Sequence, residues 1–260
     1  MIKGLMLDEG PPSLTRSFVD ELREEILSGR QAPDARLHLQ DLKHRYRISL
    51  SPIREGLAYL IAEGFVMPVG QRGYRVAPIS RDGLAEIVDL RINLELAGLR
   101  ASIARGDEMW ELLLLTSYQR LRNFEQRRWN ESDAGEFENR NRMFHRALIG
   151  ACGSPLLIRF VEILSGMSDR YRRLFLKNHE PDRDVPKEHA DIYGAALDRD
   201  ADRACEALRR HITHVADNVL DLLKPASDAK PRLRARRNAG GAPADGRLAA
   251  LAGIAALGLK

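Results

Sequence analysis

The chain has 260 residues, of which 44% are hydrophobic, 30% charged and 6% aromatic. Such a composition suits one large or two ordinary helix-rich domains. The chain contains no apolar run of the roughly 18 residues that a membrane helix needs, so no membrane span is expected. The start, MIKGLMLDEGPPS, holds two acids and lacks the apolar core of a secretory signal. Cys152 and Cys205 form no CxxC motif, which fits a reducing cytoplasm.

The net charge of +4 is unevenly distributed. Residues 224–260 carry eight basic and two acidic side chains, so the rest of the chain is close to neutral. Within that remainder, residues 36–75 hold seven basic side chains against three acidic ones. A local basic zone of this kind indicates nucleic-acid binding better than the overall charge does.

The first elements in chain order are three helices. Apolar residues repeat every fourth position over residues 14–28, at Leu14, Phe18, Leu22 and Ile26, and Gly29 follows as a stop. The loop GRQAPDARLH then leads to a short helix, QDLKHRYR, with Leu42 and Tyr46 on its inner face. In the third helix Ser51 is expected to be the N-cap, Pro52 the first helical residue and Gly64 the left-handed C-cap.

Two short extended runs follow, FVMPV and YRVAP, joined by GQRG. This pattern predicts a hairpin with a basic tip bounded by glycines. Three helices and a hairpin over residues 14–79 predict a winged helix-turn-helix, preceded by a flexible N-terminus of residues 1–13.

From Ser80 onward the pattern is helical only. Six helices with short connections over residues 80–223 predict an antiparallel all-α bundle and hence a second domain. Residues 224–260 are rich in Ala, Gly, Pro and Arg and are predicted to be a disordered basic tail. The expected fold class is therefore mostly α, with a winged helix-turn-helix at the N-terminus.

The start of the third helix has the residues that a DNA-reading helix needs. Its N-terminal end would enter the major groove, where small residues let the backbone approach and an arginine one turn in reaches guanine or phosphate. For Ser51 and Pro52 alone, ordinary helix initiation explains the residues equally well. The predicted DNA contacts are Gln40, Ser49, Leu50, Ser51, Arg54, Arg72 and Gly73.

These motifs resemble the GntR family of bacterial transcription regulators. The resemblance is carried by ISLSPIREGL at residues 48–57 and by RGYRV at residues 72–76. It implies a ligand-responsive regulator, expected to be a repressor, that binds a palindromic operator in double-stranded DNA as a homodimer. Two positions depart from the family pattern: Leu50 stands where a base-reading arginine is frequent, and Arg47 where a turn glycine is usual.

The second half resembles the all-helical (FCD) effector domain of the FadR-like branch of that family. DLRINLELAGLRASIARG matches its first helix, with Arg91 and Glu95 at characteristic positions. The segments NRNRMFHRAL, EHADIYGAAL and RRHITHV match those that carry metal-binding histidines. The implied ligands of a divalent ion, zinc or else nickel, are Asn141, His145, His189 and His211. Asn141 replaces the usual aspartate, and His214 is an alternative to His211.

The resemblance also implies a small carboxylate or dicarboxylate effector. Arg91 is the first candidate to bind it, because a guanidinium holds a carboxylate with two hydrogen bonds; Arg170 and Arg172 are further candidates. Within the family the similarity is to members that govern the breakdown of short dicarboxylates, including glutarate, or of amino acids.

Two other functions fit parts of the sequence. A three-histidine metal site with an open position can activate water, which would suit a hydrolase-like or lyase-like enzyme. The chain has no HExxH, GxSxG or P-loop motif, however, so we expect no enzyme. The second alternative is a constitutive DNA-binding protein whose bundle serves only for dimerisation. Each histidine taken alone is also explained as an ordinary core or surface residue.

Overall fold

A computed structural model describes residues 14–70, 73–176, 182 and 184–223. The predicted flexible N-terminus and the predicted tail lie outside the described residues. The mostly α class is confirmed for the described part. The helices are α1 (Leu14–Leu27), α2 (Leu39–Tyr46), α3 (Leu50–Ala62), α4 (Arg81–Arg105), α5 (Glu108–Glu125), α6 (Ala134–Leu148), α7 (Pro155–Leu176), α8 (Val185–Leu197) and α9 (Ala201–Leu222). The strands are β1 (Arg36–Leu37), β2 (Val66–Val69) and β3 (Gly73–Val76), and a 3-10 turn spans Glu131–Asp133.

The first three helices and the sheet form the winged helix-turn-helix. The sheet order is β1-β3-β2 and both pairs are antiparallel. The segment that contains β1 was predicted to be loop, and that prediction was wrong at Arg36 and Leu37. Both residues pair with β3 and Leu37 is buried, but two residues are too few to show the alternation by which a strand is recognised in a sequence.

The third helix begins earlier than predicted. Ser49 has extended backbone angles and is the N-cap, so Ser51 lies inside the first turn and its prediction as the cap was wrong. Pro52 is tolerated there because the first-turn N–H groups have no helical partner in any case. The predicted left-handed end is confirmed by the φ of +74° at Gly64. In α1 the buried positions Phe18, Leu22 and Ile26 are as predicted, whereas Leu14 is exposed.

The turn between α2 and α3 has an unusual residue. Arg47 ends α2 in the left-handed region, with a φ of 55°. A side chain with a Cβ is strained there by an amount on the order of 1–3 kcal/mol, so glycine would fit this position with less strain. The Arg47 side chain is exposed, so its positive charge lies just before the start of the predicted reading helix, α3.

Gly56 lets α3 approach α1 closely. A Cβ at this position would lie 2.5 Å from Cδ1 of the buried Phe18 ring and 3.0 Å from Val19. We therefore expect Gly56→Ala to lower the free energy of unfolding by about 1–3 kcal/mol through overpacking, measured by urea denaturation followed by circular dichroism. Gly166→Ala is the matched control. A Cβ at this mid-helix position of α7 comes no closer than 3.7 Å to Phe65.

The control should change stability in the opposite direction. Replacing a mid-helix glycine by alanine stabilises a helix by about 0.5–1 kcal/mol where the new methyl group has room. Equal effects of both substitutions would mean that α1 and α3 separate easily, which contradicts the close packing at Gly56.

Helices α4 to α9 form the bundle. Its core combines residues from every one of these helices, and the large fully buried members are Leu99, Leu114, Leu121, Phe124, Phe144 and Leu148. The loops that separate α4 from α5 and α8 from α9 are two or three residues long, as expected for antiparallel neighbours. Within the described residues, no helix is both long and apolar enough to cross a membrane.

Candidate functional site

The predicted DNA-contacting residues divide into two groups. Ser49, Ser51 and Arg54 are exposed at the start of α3, and Gln40 is exposed at the start of α2. They form the polar end that a reading helix would present to DNA. Arg72 lies outside the described residues, so its predicted wing contact stays a prediction.

Leu50 and Gly73 have structural reasons for their identity. Leu50 is half-buried and packs against the core of the DNA-binding domain, which explains an apolar residue at this position. A Cβ on Gly73 would lie 2.7 Å from the carbonyl oxygen of Val69, its partner across the hairpin. Glycine is therefore required at this position for the wing to close.

Arg54 gives the sharpest test of the DNA-reading surface. If its guanidinium reads a base, Arg54→Ala should weaken operator binding by about 1–3 kcal/mol and relax the sequence preference. Fluorescence anisotropy on a duplex selected from random DNA and on a scrambled duplex measures both effects. Arg100→Ala is the control, because it removes an equal charge from an exposed pair with Asp202 on the bundle. Equal weakening on both duplexes would instead make Arg54 a phosphate contact.

The structure brings the three predicted metal-binding histidines together. His145 lies on α6, His189 on α8 and His211 on α9, and each is at most 5% exposed. One ring nitrogen from each lies within 4.8 Å of the other two. Three imidazoles at this separation can share one metal ion, because metal–nitrogen bonds of about 2 Å place ligand atoms some 3–4 Å apart.

A carboxylate holds the Nδ1 atom of each ring. The Nδ1 distances are 2.9 Å from His145 to Glu95, 2.8 Å from His189 to Glu125 and 2.9 Å from His211 to Glu188. Such a partner keeps the proton on Nδ1 and leaves the lone pair on Nε2, as in the carboxylate–histidine pairs around zinc. The Nε2 atoms of His145 and His189 are buried and have no hydrogen-bond partner among the described residues.

The fourth predicted ligand also fits. Asn141 lies one turn before His145 on α6, and side chains four residues apart share a helix face. Its Oδ1 atom is buried and has no hydrogen-bond partner among the described residues. The alternative ligand, His214, is about one-third exposed and bonds Glu188 and Asp182, so it stands apart from the three-histidine group. Three buried nitrogen ligands and an orphaned amide oxygen therefore fit a divalent metal.

Burial sets the protonation of the site. Desolvation lowers the pKa of His145, and it lowers that of His211 well below its ordinary value with the help of the neighbouring histidines. Neutral imidazole is the form that binds a metal. Burial alone would favour neutral Glu95, but the charge of Arg91 and the contact with His145 outweigh it and hold the pKa of Glu95 at about 2.

Two of the three predicted effector-binding arginines act electrostatically on the histidines. Arg91 is buried on α4, where its Nε donates to Glu95 at 2.7 Å and its Nη1 to Ser168 at 3.2 Å. Glu95 therefore joins Arg91 to His145. Arg172 on α7 pairs with Asp169, and its positive charge lies close enough to His211 to contribute to the lowered pKa of that ring.

Arg170 is placed differently from the prediction. Its guanidinium is buried at the junction of the two domains and donates to the carbonyl oxygens of Gly64 and Ala77. It also lies 5.8 Å from the centre of the Phe65 ring. Arg170 and Arg172 are two residues apart on α7, so their side chains point to different sides of the helix. This explains why only Arg172 faces the bundle interior. The structure therefore assigns Arg170 to the domain junction.

The sequence did not single out the acidic partners Glu125 and Glu188, nor Glu138 and Asp169. Glu188 precedes His189 directly but bonds His211 and His214 instead, so its position beside a histidine in the sequence does not reveal its partners. Glu125 lies 64 residues from His189, and no local pattern connects the two.

A winged helix-turn-helix joined to a helical bundle is the architecture of a transcription regulator. Residues 14–76 match the profile of the bacterial regulatory proteins of the gntR family, and residues 86–214 match the FCD domain. The chain belongs to the GntR family, and it is a DNA-binding transcription regulator rather than an enzyme.

Two relatives cover most of the chain. An uncharacterised HTH-type regulator, BphR of Paraburkholderia xenovorans (strain LB400), is 40% identical over 202 residues, which are 77% of this chain and 82% of that protein. The HTH-type transcriptional repressor GlaR of Escherichia coli (strain K12) is 35% identical over 195 residues, which are 74% of this chain and 89% of that protein.

The solved structures agree on the fold. E. coli McbR/YncC has a TM-score of 0.66 at 19% identity and covers 82% of this chain and 99% of its own. A GntR regulator from Rhodococcus sp. RHA1 has a TM-score of 0.64 at 20% identity and covers 80% of this chain and 97% of its own. At this level of identity the likeness concerns the fold alone.

Proposed function

We propose that this regulator is a homodimeric repressor that binds a palindromic operator in the cytoplasm. A small carboxylate, held in the bundle with the help of a metal ion, modulates its DNA binding. The observation that carries the proposal is the set of three buried histidines, each oriented by its own carboxylate. Support for repression comes from the 35% identity to GlaR, which is named a repressor.

Zinc suits the proposed metal site, and nickel is the second choice. Both bind imidazole nitrogen, and zinc commonly takes three such ligands with room for an oxygen donor. When bound, the metal supplies a positive charge and an open coordination position. His145, His189 and His211 would hold it, with Asn141 as the oxygen ligand. Asparagine contributes no negative charge, so it binds the ion more weakly than the aspartate usual in the branch.

The charge around the site favours a carboxylate ligand. Arg91 lies next to the histidines, and its guanidinium is shared between Glu95 and Ser168. Arg172 adds a second positive charge, which contributes to the lowered pKa of His211. A dicarboxylate has one carboxylate for the metal and one for a guanidinium, so glutarate and similar short diacids are the effector class that we propose.

Exposed apolar side chains support the homodimer. Helices α4 and α7 pack together, and they carry the exposed Leu90, Leu156 and Phe160. Contiguous exposed apolar patches mark interaction surfaces, and the proposed dimer would bury these side chains between α4 and α7 of the two copies. A dimer pairs two identical surfaces about a two-fold axis, which is also the symmetry of a palindromic operator.

Thermal unfolding tests the proposal. Zinc-loaded and EDTA-treated protein are each heated with glutarate and other small carboxylates. We expect a short diacid to raise the melting temperature only in the zinc-loaded sample, and Arg91→Ala to remove that shift. If neither EDTA nor any acid moves the transition, the bundle serves dimerisation alone and the protein is a constitutive DNA binder.

A further inference from the structure

Six alternating charges connect the interior of the bundle to the DNA-binding domain. In order they are Arg142, Asp169, Arg172, Glu138, Arg173 and Glu24, and we call them the ion ladder. The successive nitrogen–oxygen distances are 3.1, 2.5, 3.9, 2.8 and 2.6 Å. Glu24 lies on α1 of the DNA-binding domain, whereas the other five lie on α6 and α7.

The middle of the ion ladder is buried, whereas its two ends, Arg142 and Glu24, are partly exposed. Glu138 and Asp169 are each 1% exposed, whereas the side chain of Glu24 is 50% exposed. Burial and the charge of Asp169 raise the pKa of Glu138 to about 7. Glu138 Oε1 and Asp169 Oδ2 accept no hydrogen bond from the described residues and have only the ion pairs with Arg172 at 3.9 Å and Arg142 at 3.1 Å. The two buried acids therefore depend strongly on the arginines beside them.

Helix α7 has one side toward the histidines and another toward the DNA-binding domain. Ser168 accepts a hydrogen bond from Arg91, and Arg172 pairs with Asp169, the residue after Ser168 on α7. Arg170 and Arg173 instead contact the DNA-binding domain, at Gly64, Ala77 and Glu24. We call the three histidines with Arg91 and Arg172 the proposed effector pocket, and α7 thus contacts both this pocket and the domain that reads DNA.

We propose that Glu138 and Arg173 are positioning residues that transmit the occupancy of the pocket to α1. An anion that captures Arg172 takes a cation from Asp169 and Glu138. Arg173 then moves fully onto Glu138 and releases Glu24. The identity of the anion rests on the proposed function. The ion pairs of the ion ladder are contacts of the protein itself and do not depend on that proposal.

The difference in burial decides which contact of Arg173 is lost. A buried carboxylate without a cation is strongly unfavourable, whereas water solvates the exposed Glu24 at little cost. Release of Glu24 matters for DNA binding because α1 supports the reading helix. Phe18 of α1 packs on Gly56 of α3, and Arg23 of α1 pairs with Glu63 at the end of α3.

Hydrogen–deuterium exchange of the α1 amides in the full chain tests the ion ladder without any effector. Arg172→Met removes the cation that an anion would capture. We expect α1 exchange to accelerate about two- to fivefold in this variant and in Arg173→Met, the size that fits the loss of one partly exposed ion pair. Arg100→Met, which breaks the exposed pair with Asp202, should leave α1 exchange unchanged. An unchanged rate in Arg172→Met beside a faster rate in Arg173→Met overturns the proposal.

A double variant separates the ion ladder from a general loosening of α7. With Glu24→Gln in place, Arg172→Met should no longer accelerate α1 exchange, because the last contact is already gone. A persistent acceleration overturns the proposal. If Arg172→Met does not fold, Arg172→Lys replaces it, because a lysine cannot hold two carboxylates in the geometry of a guanidinium. Its α1 exchange should rise, and a wild-type rate counts against the ion ladder.

The last part of the experiment measures α1 exchange in the presence of zinc and glutarate. Faster α1 exchange on adding glutarate to zinc-loaded protein supports the ion ladder and the proposed function together. If the variants behave as expected but glutarate has no effect, the ion ladder stands and the proposed effector class is wrong.

Discussion

We expect His189→Ala to abolish the stabilisation of this protein by zinc. His189 is fully buried, its Nδ1 bonds Glu125, and its Nε2 atom has no partner within the described structure, so the substitution removes the nitrogen that would bind the metal. A ligand that binds only the folded state stabilises it by about 4 kcal/mol at a thousand times its dissociation constant. Differential scanning calorimetry of wild type and variant, with zinc and with EDTA, measures that difference directly.

The chain offers a matched control in His214. This residue lies on the same helix as His211 and bonds the same acid, Glu188, but stands outside the three-histidine group. His214→Ala should keep most of the zinc effect. Glu125→Gln tests the orientation of His189 and should weaken zinc binding about 10- to 100-fold. If His189→Ala and wild type respond equally to zinc, the ion binds elsewhere and the histidines are a packed polar core.

The ligands of the proposed metal site show what can and cannot be predicted from the sequence. His145, His189 and His211 are 44 and 22 residues apart, a spacing with no meaning in itself, and they were selected because their segments resemble those of a known family. The structure then adds what resemblance did not supply, which is the acid behind each ring. These contacts depend on how five helices pack, so no local pattern carries them.

The fold could be predicted more fully than the site. Helical periodicity is a local property, and it gave the helices of both domains to within a few residues. It failed where tertiary context decides, as at the two-residue strand β1, which exists only because β3 lies beside it. Arg170 is the corresponding failure in the site. Its neighbours Gly64 and Ala77 lie about 100 residues earlier in the chain, and periodicity on α7 alone does not reveal them.

The Arg91–Glu95 pair connects stability to the proposed effector. Both side chains are at most 8% exposed and lie 2.7 Å apart, so Arg91 depends on Glu95 for its countercharge. Removing one partner of a buried ion pair typically costs about 3–5 kcal/mol, whereas replacing both by uncharged groups is often close to neutral. We therefore expect Glu95→Gln to lower the free energy of unfolding by about 3–5 kcal/mol, measured in EDTA by urea denaturation. The double variant Arg91→Met/Glu95→Gln should regain most of that loss.

Added glutarate distinguishes a structural pair from a binding group. In Glu95→Gln the guanidinium of Arg91 lacks its countercharge, so a carboxylate from solution should restore more stability than it adds to the wild type. The double variant has no guanidinium there and should not respond. If Glu95→Gln costs less than about 1 kcal/mol, the charge of Arg91 is already compensated by water or by the other acids of the pocket. A carboxylate effector would then gain little from Arg91, and its affinity would have to come from the metal and Arg172.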